Sequence, residues 1–120
     1  MPAAGSNASQ LATRGQQAAF HGRPSDGLEP LSHAITLYQG AGDGDSAHWA
    51  SWLHGVCLTA MGRYGSAMAR LQPLLGDVST GFRLRSAGLA AVTIASIHRQ
   101  LNLYREARGF DEWAISMTKG

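Results

Sequence analysis

With a single cysteine, Cys57, the chain has no internal disulfide, and that sparing use of thiols fits a reducing compartment. Lysine is just as scarce. Lys119 stands beside nine arginines and eight acids, for a net charge of +2, and no cationic block reaches the density that a phosphate backbone demands. Charged residues make up only 15% of the sequence, fewer than in an average soluble chain. No uninterrupted apolar run approaches the ~18 residues of a membrane span. The opening MPAAGSNASQ carries neither the charged region nor the apolar region of a secretion signal. These absences predict a cytoplasmic protein with no nucleic-acid partner and no membrane partner. Few windows alternate with period two, which argues against strands.

What the chain does have is alanine, glycine and leucine in helical spacing, and a repeat. Shifting the sequence by 40 residues brings its landmarks into columns. Gly15, Gly55 and Ala95 form one column, and Gly22, Gly62 and Asn102 another. Pro24, Tyr64 and Tyr104 follow, then Gly27, Ala67 and Ala107, then Ile35, Leu75 and Ile115. Each column has a physical reading. A small residue inside the first helix of a pair lets a neighbouring helix approach closely. The Gly or Asn ends that helix, since both tolerate the left-handed cap conformation. The small residue in the second helix marks the crossing point. The spacing predicts six helices over about 8–21, 28–39, 46–61, 64–75, 82–101 and 104–118. Pro30 requires the second helix to begin near Leu28, and Pro73 should kink or shorten the fourth.

The pattern small–x6–Gly/Asn–x–Tyr–x2–Ala resembles the tetratricopeptide repeat (TPR). Gly55, Leu58, Gly62, Tyr64, Ala67 and Leu71 carry the resemblance in the second copy, and Ile94, Ala95, Asn102, Tyr104, Ala107 and Ala114 in the third. The stretch from Arg85 to Ser116 is also similar to TPR-like helical domains of Arg- and Ala-rich actinobacterial proteins. The resemblance implies an all-α fold, three antiparallel helix pairs stacked as a TPR-like right-handed α-solenoid with a period of about 40. Residues 1–8 are expected to be a disordered segment, and 9–118 a single domain with repeats at about 8–40, 46–76 and 82–118. The family period is ~34 residues, so the surplus is expected in the loops GAGDGD (40–45) and GDVSTG (76–81).

In such folds the first helix of each pair lines a concave groove. Carried over, that groove would be presented by Gln16, Ala19 and Phe20, then Trp49, Trp52, Val56 and Thr59, then Leu89, Val92, Arg99 and Gln100. An apolar, aromatic trough with a cation at one end suits a peptide or amphipathic helix from another protein. Trp49 and Trp52 can equally pack between helices. The Lys/Asn clamp that some family members use for a peptide C-terminus is not matched, because Trp52 and Val56 occupy two of its positions. Phe110, Trp113 and Met117 form a further apolar stripe at the end of the repeats, expected to be covered by a second copy of the chain or by a longer chain.

Other chemistry has thinner support. His54 and Cys57 on one helix, with His98 on another, offer metal-ligand residue types. However, both histidines fall at core positions of the family, and buried cysteine is commonly a small hydrophobe. Asp43 and Asp45 fail as a calcium loop, since the twelfth position is His54 rather than a bidentate Glu. Glu106 and Glu112 sit among Arg105, Arg108 and Asp111 and suggest surface ion pairs. No cofactor and no catalytic residue are expected. The function expected is a non-enzymatic protein–protein interaction module, scaffolding or regulatory. The alternatives are a sensor domain taking a small molecule or signalling peptide in the same groove and, last, a Cys/His-based enzyme.

Overall fold

A computed structural model describes residues 4–118, which fold into six α-helices with no strand among them. They are α1 (Ala4–Phe20), α2 (Leu28–Gly40), α3 (Gly44–Ala60), α4 (Tyr64–Leu71), α5 (Gly81–Gln100) and α6 (Tyr104–Thr118). A 3-10 turn over Pro24–Gly27 precedes α2, and another over Gln72–Gly76 prolongs α4.

The predicted ends hold for simple reasons. Gly22, Gly62 and Asn102 all take positive φ, at 77°, 75° and 63°. Each is followed by an N–H that reaches back across the turn, from Arg23 to Ala18 O, Arg63 to Leu58 O and Leu103 to His98 O. This satisfies carbonyls that the helix end would otherwise orphan. Pro30 stands third in α2, where no intrahelical donor is missed. Pro73 acts as its ring requires. The α-helix stops at Leu71, and the chain tightens into 3-10 form.

Two expectations are corrected. Residues 4–8, set apart in the sequence as disordered, belong to α1, and Ala8 is fully buried. Ala8 and Ala12 lie one turn apart and extend the buried stripe of that helix. Residues 1–3 lie outside the described residues. The 40-residue period, moreover, does not come from long loops. The connection 41–43 is a tight corner in which Gly42 (φ 74°) caps α2 and the Asp43 carboxylate accepts the Ser46 N–H to start α3. The length is in the helices, 17 residues in α3 and 20 in α5.

Packing follows chain order. α1 lies on α2, α2 on α3, α3 on α4, and α5 on α6, while α3 also touches α1 and α5. Among the described residues, the backbones of α1 and α2 do not come close to those of α4, α5 or α6. Leu31, Ile35, Tyr38, Leu53 and Cys57 centre one core cluster, and Leu58, Leu71, Leu74, Ile94 and Ile97 centre a second. Leu28 and Trp52 pack against both. The result is a slab of 50 × 32 × 20 Å.

The small-residue columns account for the closeness of the first two pairs. A methyl group on Gly15 would lie 2.7 Å from Leu31 Cδ2, and one on Gly55 would lie 2.6 Å from Leu71 Cγ. Both separations are well inside van der Waals contact. Leu31 and Leu71 are themselves 40 positions apart, so the same knob enters the same notch twice. Gly27 plays the crossing role from the other side, with the Gly15 carbonyl 3.0 Å from where its Cβ would stand.

Candidate partner-binding face

α3 and α5 touch along their length, and each leaves a stripe of side chains at helical spacing: Trp49, Trp52, Val56 and Thr59 on α3, and Leu89, Val92 and Arg99 on α5. Trp52 joins the two stripes. Its indole N–H donates to Thr93 Oγ1 at 3.0 Å, and that hydroxyl in turn donates to the Leu89 carbonyl. The half-buried ring is thus fixed across the α3–α5 seam by a hydrogen bond as well as by packing. Trp49, also half-buried, packs on the first core cluster. Beside this seam Leu89 and Val92 are exposed, at 39% and 46%. Val56 and Thr59 are half-buried, and Thr59 returns its hydroxyl to the Gly55 carbonyl at 2.8 Å.

The remaining predicted residues lie toward the ends of their helices. Phe20 is 56% exposed at the last position of α1, and Gln100 is exposed at the last position of α5. Arg99 is not a free cation. Its Nη1 meets Asp111 Oδ2 of α6 at 2.7 Å, so a partner's carboxylate would have to compete for it.

His54, Cys57 and His98 face different surroundings. Cys57 is fully buried in the first cluster beside Gly27, and burial pushes its thiol pKa up. His98 Nδ1 donates to the Ile94 carbonyl, and its ring lies 5.1 Å from that of Phe110. His54 has a buried Nδ1 without a hydrogen-bond partner. Burial, followed by the Arg70 charge, lowers its pKa to about 4.

The stripe on α6 is not bare. Phe110 packs on the second cluster, Trp113 and Met117 are half-buried, and Trp113 borders an open cleft of about 380 Å³ with Leu75, Glu106, Gly109 and Phe110. The exposed side of α6 carries Arg105, Arg108, Glu112 and Ile115 instead.

Two polar assemblies escaped the sequence. Buried His48 bonds through Nδ1 to Ser86 Oγ of α5 and donates from Nε2 to the Leu74 carbonyl at 3.1 Å. Its repeat column holds Ala8 and Gly88, both buried, so a histidine there was the available signal. Arg83 spans Asp45 (2.8 Å) and Asp77 (2.9 Å), and Thr80, which caps α5, also donates to Asp45. Gly44 leaves the space that the Arg83 guanidinium occupies.

No helix among the described residues is long and apolar enough to cross a membrane. Comparison with known proteins found no matching family model, no similar curated protein and no similar solved structure.

Proposed function

We propose that the chain is a non-enzymatic, cytoplasmic protein–protein interaction module whose helix pairs stack as a TPR-like right-handed solenoid, and that the α3–α5 face receives a peptide or amphipathic helix from another protein. The solenoid reading is supported by contacts that run only between consecutive pairs, and by the same leucine-into-glycine fit in two successive repeats. One observation carries the binding reading. Leu89 and Val92 stand exposed along a seam already levelled by the fixed Trp52 ring. Apolar side chains grouped along a helix face are what a helix-in-groove partner buries.

The test is site-specific photo-crosslinking in the native cell. A photoreactive residue at Val92 should give a discrete adduct with a second polypeptide. The same residue at Ser116, exposed on α6, should not. Adducts from Ser116 but none from Val92 would reject this face as the working surface.

A further inference from the structure

The cleft beside Trp113 has a chemistry of its own and shares no residue with the α3–α5 face. Glu106, Gly109, Phe110 and Trp113 fall at i, i+3, i+4 and i+7 of α6, so they line one stripe of it, and Leu75 closes the cleft from the 3-10 turn after α4. Nothing lies within 4 Å of where a Gly109 side chain would begin, so no other side chain packs over that part of the cleft. Two aromatic rings and a leucine make the walls apolar. The carboxylate of Glu106 is the one charge among the lining residues.

That carboxylate has no hydrogen-bond or ion-pair partner among the described residues. The cations nearest in sequence are engaged or directed elsewhere. Arg108 pairs with Glu112 at 3.6 Å and Arg99 with Asp111, while Arg105 is the neighbour of Glu106, ~100° around the helix. Aromatic faces attract a cation through the ring quadrupole, and an unpaired carboxylate at the rim adds to that attraction. An apolar floor takes an alkyl body. The volume lies within the range of small-molecule sites, ~300–1,000 Å³.

We propose that this cleft is a binding site for a small organic cation of the quaternary ammonium class. The cationic head lies between Trp113, Phe110 and the Glu106 carboxylate, and the alkyl portion rests on Leu75 and Gly109. An anion meets the carboxylate unfavourably, and an uncharged ligand forgoes both attractions.

The experiment follows the indole N–H resonance of Trp113, identified as the one missing in Trp113→Phe, through a titration of the full chain at constant ionic strength. Choline is the probe, and its uncharged isostere 3,3-dimethylbutan-1-ol is the control. The expected result is a saturable shift with choline, no comparable shift with the alcohol, and affinity weaker on the order of tenfold in Glu106→Gln. Glu106 is exposed, so this variant should keep the wild-type helical circular dichroism. Equal response to choline and the alcohol would overturn the proposal, as would unchanged affinity in Glu106→Gln. A response to N-acetyl-lysine methylamide without one to choline would overturn it too, assigning the cleft to a protein side chain.

Discussion

Leu71 occupies the place that a methyl group on Gly55 would need, and Leu31 does the same to Gly15. Gly55→Ala therefore sets two effects against each other. Helix propensity favours alanine by about 1 kcal/mol, and overpacking against a buried leucine costs about 1–3 kcal/mol. The clash offsets the propensity gain, and a net loss of up to about 2 kcal/mol is expected in urea unfolding. In the Gly55→Ala background, Leu71→Ala should cost visibly less than in the wild type. Strict additivity in that double-mutant cycle would disprove the notch. Gly109 supplies the opposite sign. With open space around it, Gly109→Ala should stabilise α6 by up to about 1 kcal/mol.

The His48–Ser86 bond joins two helices inside the core. Nε2–H is given to the Leu74 carbonyl, and Nδ1 has the Ser86 hydroxyl as its partner. Ser86→Ala strands that ring nitrogen in a buried site and should cost about 1–3 kcal/mol. His48→Leu/Ser86→Ala, which removes both ends, should lose less than the sum of the single changes. Chemical denaturation of the four proteins decides the matter.

His54 makes stability depend on pH. Its pKa in the folded chain, about 4, lies below the ordinary 6.5, so between these values the unfolded chain binds the extra proton. The contribution of His54 is fully present above pH 6.5 and is lost as pH falls toward 4. Because the ring is only half-buried, solvent screening reduces the loss to the order of 1 kcal/mol. The urea midpoint should fall across that window, and His54→Gln should flatten the profile. An identical slope in the variant would show that other groups titrate there.

Cys57 should behave as a reporter of unfolding. A fully buried thiol with a raised pKa offers little thiolate to a reagent. Labelling by a thiol-specific disulfide reagent should be negligible in the native chain and complete in denaturant. Rapid labelling without denaturant would show that the α2–α3 interface opens far more readily than its packing implies.

The helices were legible because their ends are local events. Gly22, Gly62 and Asn102 stop helices by their own backbone conformation, and Pro73 removes a donor wherever it stands. Three starts, at Leu28, Tyr64 and Tyr104, fall where the spacing put them. The start of α1 was missed because Ala4–Ala8 has no strong apolar residue, and the burial of Ala8 depends on a distant partner surface. Polar pairings were illegible for the same reason. Nothing in the local pattern joins His48 to Ser86, Arg83 to Asp45 and Asp77, or Trp52 to Thr93. These partners meet only once the helix pairs have stacked. For the candidate face, the repeat resemblance assigned Leu89 and Val92 to a groove and left open how far the two tryptophans would sink, because that depends on how α3 packs against α5.

α3 is the only helix through which α1 and α2 meet the rest of the described chain. Melting of α1 can therefore stay confined to its own end, whereas a break in α3 disconnects the two ends altogether. A ligand that clasped Val56 and Leu89 together would hold α3 to α5 and so steady the joint on which the two ends depend.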